Sequence, residues 1–351
     1  MGDMNTKSAE IRALAESLIA ATDSPVVHCR LMVDVLSLPE HNPRLQAARN
    51  RLASSRQVQI LLNDQHADGS WGRFHSQDSR LKQRILTTEM GVERAVALGL
   101  GTWHPRITRT RSYLSTLLSG ALEFPDPPER NARWRTGVQL FTASTFARLD
   151  PENKLLKPIR ELWCEIAKRT FYSGAYDAIA EIQAHKDLTS VPVKDSYLVI
   201  RNKYALNLLG SHTRKLPAKI EEALLAWLWS HPEGIGYLSV PLNAAPETFP
   251  TDAFERWFAS LELLSVGFTS WVKFASAGMD WLWNQRTADG FWDFGPRAIR
   301  LNILPFSDHW RASRNRVIDW TTRSLILIAR YYRSLGQYES TEHKHDNLGQ
   351  T

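Results

Sequence analysis

The sequence predicts an all-α fold, and three observations predict it. Apolar residues recur at helical spacing along nearly the whole chain. Capping side chains and glycines bound those stretches, and no alternating strand pattern flanked by hairpin turns occurs. Asp23-Ser24-Pro25, Asn42-Pro43 and Asp150-Pro151 each place a capping side chain ahead of a proline, so helices are expected to start there. Ala97-Leu98-Gly99 and Leu208-Leu209-Gly210 predict helix ends, because glycine accepts the left-handed backbone that closes a helix. Ile220, Leu224, Trp227 and Leu228 fall at i, i+4, i+7 and i+8, the stripe of one half-buried helix. A further helix is expected to begin near Pro250-Thr251-Asp252 and to end near Gly267. No Pro/Gly/Ser-rich linker divides residues 1–335, which are expected to form one domain. Residues 336–351 are polar, lack an apolar stripe and read as a loose tail.

Composition excludes several classes. With 351 residues, 43% of them hydrophobic, the chain can bury a core without disulfide or metal staples. Cys29 and Cys164 are too few for a disulfide framework or a four-thiolate zinc site. The N-terminus carries no apolar run with a cleavage site, and no stretch approaches the roughly 20 apolar residues of a spanning helix. A soluble, cytoplasmic chain is expected. The formal charge of +6 comes from 31 Arg and 12 Lys scattered among 37 acids, a dispersal that argues against a nucleic-acid partner. The densest trios are Arg106, Arg109 and Arg111, then Arg130, Arg133 and Arg135, then Arg311, Arg314 and Arg316. Each reads as a solvated face or as a phosphate or headgroup contact. Nine of the 13 Trp lie between Trp227 and Trp320, enough indole for a thick core or an aromatic cavity.

Gly69, Gly120, Gly174, Gly234 and Gly290 each follow an apolar helical segment, at intervals of 51, 54, 60 and 56 residues. Two helices with their turns occupy such an interval, so about six helical hairpins fit the chain, as an open stack or a closed ring. Two of the glycines share a local sequence. Asn63-Asp64-Gln65-His66-Ala67-Asp68-Gly69-Ser70-Trp71 aligns with Asn284-Gln285-Arg286-Thr287-Ala288-Asp289-Gly290-Phe291-Trp292, matching in Asn, Ala, Asp, Gly and Trp. A degenerate copy runs from Pro232 to Tyr237. The pattern suits a turn that closes a helix: Asp accepts backbone N–H groups, Gly supplies positive φ, and Trp folds back over the helix end.

These segments resemble the Gln-Trp repeats of squalene-hopene and oxidosqualene cyclases, with Gln65-x-x-Asp68-Gly69-Ser70-Trp71 the full form and Gln285 one place early in the second. The resemblance implies a single (α/α)6-type toroid of inner and outer helices around an axial cavity, similar to a stand-alone class II terpene cyclase barrel. In that class a D-x-D-D motif opens a helix shortly before a repeat, and its central Asp protonates an alkene or epoxide. Laid on this sequence, the motif falls on Asp252, Ala253, Phe254 and Glu255, so the first acid is kept, the last is Glu and the central one is an aromatic. Asp252 or Glu255 then acts from a shifted register, another residue initiates, or the cavity only binds.

A carboxyl that protonates an alkene needs burial or a hydrogen-bonded partner, and the resulting cation needs aromatic faces, each worth about 0.5–2 kcal/mol when dry. Asp252, Glu255 and His309 are the candidate catalytic residues. Phe254, Trp257, Trp271, Trp281 and Trp310 are the candidate walls of the isoprenoid site. Trp71 and Trp292 are expected to tie helices together, and Asp319 can face the axis or the solvent. No metal ligand set is visible and no cofactor is expected, although a diphosphate on the substrate would bring magnesium with it. Peripheral membrane contact fits a lipid-borne substrate, yet no amphipathic anchor stands out. The alternatives are a non-catalytic toroid that binds an isoprenoid, a lipid or a partner protein, and an (α/α)6 glycosidase or lyase with carboxylates across a cleft.

Overall fold

Side chains build the helix starts. Ser24, ahead of Pro25, accepts the Val27 N–H, and Asn42, ahead of Pro43, accepts the Arg44 N–H. Thr87, His104 and Asn202 cap three later helices in the same way. A computed structural model describes residues 2–131, 134–189, 199–211, 216–243, 251–295, 304–307 and 309–336; the side chains of residues 2–5, 251 and 252 are outside it. Residues 337–351 of the expected tail, Asp308 and Arg133 also lie outside it. Among the described residues the chain is all-α, with no strand and one isolated bridge between Asn202 and Gly236. No helix there is long and apolar enough to cross a membrane.

The chain divides into two compact units, Ile60–Phe274 on one side and Met1–Gln59 with Ala275–Thr351 on the other. The first holds α5 (Thr88–Ala97), α6 (Pro105–Leu118), α7 (Trp134–Ala147), α8 (Lys157–Thr170), α9 (Ala178–Thr189), α10 (Lys203–Gly210), α11 (Ala218–Ser230) and α12 (Thr251–Gly267). Two kinds of helix occur there. In α7 every residue from Leu140 to Ala147 is buried, and α10 and the described part of α12 are buried on nearly all sides. By contrast α6 buries only Ile107, Thr110, Tyr113, Leu114 and Leu117, and α8 buries Arg160, Trp163, Ile166, Ala167 and Thr170, single stripes at helical spacing. The enclosed helices touch in succession, α7 on α10 and α10 on α12, while α6 and α8 pack against α7. That is a two-layer α/α arrangement.

The second unit contains α1 (Gly2–Ala21), α2 (Pro25–Arg30) running into a π-turn at Leu31–Val35, α3 (Pro43–Ala53) and α14 (Ser313–Ser334). Here α14 is the enclosed helix, buried at every position from Asp319 to Ala329, with α1, α2 and the π-turn against it. The remaining helices are α4 (Arg56–Asn63) and α13 (Val272–Asn284).

One expected boundary is corrected. Asp150-Pro151 does not start a helix. Asp150 accepts from Arg111 and from Asn153 Nδ2, and α8 begins at Lys157-Pro158 after a short 3-10 turn capped by Asn153. Gly210 ends α10 as expected, but as its last helical residue and without positive φ. A Cβ there would sit 3.1 Å from Gly267 Cα, and one on Gly267 would sit 2.1 Å from Gly210 O. The two glycines let α10 and α12 cross backbone to backbone. Gly99, by contrast, has φ +81° and ends α5 as expected.

Candidate functional site

The first Gln-Trp turn sets the geometry of its unit. The Gln65 amide donates to Gly69 O, Arg106 O and Thr110 Oγ1, and its Oε1 accepts from Arg106 Nε at 2.8 Å. Arg106 also donates to Leu62 O. Gly69, with φ +96°, lies so close to α6 that a Cβ would be 2.6 Å from the Arg109 carbonyl carbon, hence only glycine fits. The Trp71 indole N–H donates to Leu61 O at 2.8 Å and its backbone N–H to Thr88 Oγ1 at 3.0 Å. In the other unit Trp292 repeats both bonds, to Leu282 O at 2.7 Å and Thr321 Oγ1 at 3.1 Å. Both indoles are fully buried. Where the second turn lacks the Gln, Arg286 donates to Trp283 O and stacks 3.8 Å over the Trp283 ring.

Beyond Trp71 the chain is pinned by Asp126. That buried carboxylate accepts the backbone N–H groups of Phe74, His75 and Ser76 at 2.5, 2.9 and 2.6 Å. This aims His75 at α5 and α10. His75 Nδ1 lies 2.7 Å from Glu89 Oε2 on α5, and its ring stacks on Phe141 of α7 with centroids 4.6 Å apart. Lys203 Nζ on α10 lies 3.3 Å from Glu89 Oε1 and 3.7 Å from Glu93, which Arg148 approaches at 3.8 Å. With Nδ1–H directed at Glu89, the Tyr204 hydroxyl, 3.3 Å from Nδ1, donates to the same carboxylate. The ring's other nitrogen, Nε2, forms no bond, and the side chain is 32% exposed.

Electrostatics follow from that packing. Burial pushes the Glu89 carboxyl up, but Lys203, His75 and Tyr204 outweigh it and hold the group at about 2. The Glu89 hydrogen bond raises His75 above its ordinary value against burial, so the imidazolium is favoured. Burial lowers Lys203, yet Glu93 and Glu89 leave it raised. Beside the network, Glu89, Glu93, Ser144, Thr145, Lys203 and Asn207 line a cavity of about 20 Å³, room for one water, closed on one side by Leu263 of α12. Chemically this is an imidazole ring fixed in place, backed by a carboxylate and presenting its second nitrogen outward.

The expected site residues fall in both units. On α12, Glu255 is 1% exposed, Phe254 is 7% exposed and Trp257 is 1% exposed. The rings of Phe254 and Trp257 stack at 6.0 Å, and Phe258 lies 6.1 Å from Phe254. Asp252 is on the same helix, with its side chain outside the described residues. Trp271 is fully buried at the corner after α12, where Glu221 accepts the Ser270 N–H at 2.7 Å. In the other unit Trp281 is half-buried and stacks on Phe294 at 6.0 Å, while Trp310 lies under the Arg311 guanidinium. His309 is exposed there and engages through its carbonyl, which accepts from Asn315. Asp319 faces inward, accepting the Phe306 and Ser307 N–H groups, the kind of service Asp126 gives in the first unit.

Part of each of two Arg trios is used within the protein. Arg106 braces Gln65, Arg111 pairs with Asp150, and Arg316 forms a two-bond pair with Asp293. No group of three or more His, Cys, Asp or Glu suited to a metal ion occurs among the described residues. No family model, curated protein or solved structure matches the chain. Sequence reasoning missed the His75 network. Its members adjoin readable signals (Trp71, the Thr87 cap and the Asn202 cap), but only the packing of α5 on α7 and α7 on α10 brings them together.

Proposed function

We propose that the chain is a terpenoid cyclase-like enzyme whose helix pairs belong to an α/α toroid. In this reading it binds a prenyl substrate against aromatic rings and cyclises it by acid-initiated carbocation chemistry. The observation that carries this reading is Glu255. It is a carboxyl 1% exposed on an enclosed helix, next to Phe254 and Trp257, at the place where the cyclase motif would open its helix. Glu255 would donate its proton to the π pair of a terminal alkene, or to an epoxide oxygen whose C–O bond then breaks; the cation left facing the rings closes the ring and is quenched by loss of a proton to water or to the Glu255 carboxylate. Glu89 is set aside as that acid, because Lys203, His75 and Tyr204 hold its carboxyl far below the usual range and so favour its ionised form.

His75 would serve the substrate's other end, its Nε2–H donating to an oxygen substituent. Leu263, beside the His75 network, lies eight residues along α12 from Glu255, about 12 Å at 1.5 Å per residue, a span that suits an extended prenyl chain.

The test is incubation of the purified chain with geranyl, farnesyl and geranylgeranyl diphosphates and a squalene-type triterpene, with extracts analysed by mass spectrometry. A cyclised product is expected from at least one. Glu255→Gln should abolish it with helicity unchanged, whereas His75→Ala should raise KM more than it lowers kcat. Wild-type turnover in Glu255→Gln removes that residue from the mechanism. Absence of product from every substrate rejects the enzyme and leaves a binding toroid.

A further inference from the structure

The degenerate third turn, Pro232 to Tyr237, uses its aromatic residue differently from the two fuller copies. In those copies the residue two places after the glycine is Trp71 or Trp292, fully buried, with its indole N–H bonded to the preceding helix. Counted from Gly234, that place holds Gly236. Its N–H donates to Arg201 O and its carbonyl accepts the Lys203 N–H, which ties the turn to the start of α10. The aromatic comes one residue later, as Tyr237, and is 45% exposed. Ile235, Leu238, Val240 and Leu242 supply the buried side of the turn in its place.

The backbone that presents this ring is strained. Tyr237 has φ +73° and Ser239 φ +48°, two of the three non-glycine residues with positive φ among the described residues. A bulky side chain at positive φ is an outlier, and such backbone persists where the surroundings over-determine it, above all at ligand sites. Glycine tolerates that conformation without strain and is used three residues earlier, at Gly234 with φ +51°. At 237 the sequence keeps the tyrosine.

The neighbours of the ring give a reason. Tyr237 meets Tyr204 edge-on with centroids 5.3 Å apart, and Tyr204 in turn lies 4.6 Å from Phe141 and 5.9 Å from His75. Tyr204 and Phe141 are buried, so of these four rings His75 and Tyr237 are the two that present surface outward. One offers a ring nitrogen and the other an aromatic face or edge, one ring apart.

We infer that Tyr237 is a substrate-contacting, specificity-determining residue at this end of the site. Its ring covers the prenyl carbons next to the oxygen that His75 would hold, so the inference rests on that role of His75.

The test uses the full chain carrying Glu255→Gln, to block turnover, and calorimetric titration with geranyl, farnesyl and geranylgeranyl diphosphates. Adding Tyr237→Gly should weaken the tightest of the three roughly tenfold, the contribution of one well-packed aromatic contact. The thermal midpoint should be no lower, because glycine relieves the strained φ and so offsets the lost ring contact. Tyr237→Phe keeps the ring and should bind within about twofold of the parent. Inorganic diphosphate has no carbons to cover and should bind the parent and Tyr237→Gly chains alike. Unchanged prenyl binding in Tyr237→Gly would overturn the inference. So would a midpoint that falls together with binding, since the ring would then serve the fold. His75→Ala separates the two levels. Binding that depends on His75 and not on Tyr237 removes this inference alone, whereas binding that is absent from the parent, or indifferent to His75, removes the role of His75 and this inference with it.

Discussion

Gly91 shows how one missing methyl group shapes a site. A Cβ built there would lie 2.3 Å from the Trp71 ring, so the indole occupies the space that any other residue on α5 would fill. Ser324 stands three residues after Thr321 as Gly91 stands three after Thr88, and both are small and buried. Gly91→Ala should force the ring out of its pocket at a cost of about 1–3 kcal/mol or more, the usual range for overpacking. Thermal unfolding monitored by circular dichroism checks this; an unchanged midpoint would mean the indole is less confined than its contacts indicate. Trp71→Phe should be worse than its lost volume suggests. It also leaves Leu61 O without its indole donor, a further cost of about 1–3 kcal/mol.

At the scale of helices, the sequence showed what is periodic and hid what is tertiary. Caps at Ser24 and Asn42 and the closing Gly99 were legible because each is a local bargain between a side chain and the next three backbone groups. The Gln-Trp turn was legible because its residue types are dictated by one backbone path. Gly210 marks the end of α10 for a different reason than expected: glycine permits both a left-handed cap and a close helix crossing, and only the position of α12 says which is used. Asp150-Pro151 misled because Arg111 and Asn153 compete for the capping carboxylate. The crossing makes its own prediction. Gly267→Ala places a methyl 2.1 Å from Gly210 O and should separate α10 from α12. Since α10 carries Lys203 and Tyr204, the variant should also disturb His75, visible as a change in that imidazole's NMR titration, whereas a substitution at exposed Val266 should not.

For the molecule as a whole, the His75 network should leave a signature in stability against pH. Glu89 falls from an ordinary 4.5 to about 2 in the folded chain. A depressed carboxyl stabilises fully above its unfolded value, and that contribution fades as pH falls from about 4.5 through about 2. His75 works in the opposite sense. Raised from an ordinary 6.5, it stabilises fully below that value and loses its contribution as pH rises through the higher folded one. The two groups share one ion pair, so its contribution should be greatest between about 4.5 and 6.5 and decline on either side. Glu89→Gln removes the carboxylate, leaves His75 without its partner and leaves Lys203 with Glu93 alone, in a partly buried site where breaking such a pair costs about 3–5 kcal/mol. Unfolding midpoints collected from pH 3 to 9 should therefore lie furthest below wild type in the middle of the range, with the gap narrowing toward both ends. A gap of constant size would mean that Glu89 stabilises by packing, and that the charges around His75 do not govern the fold.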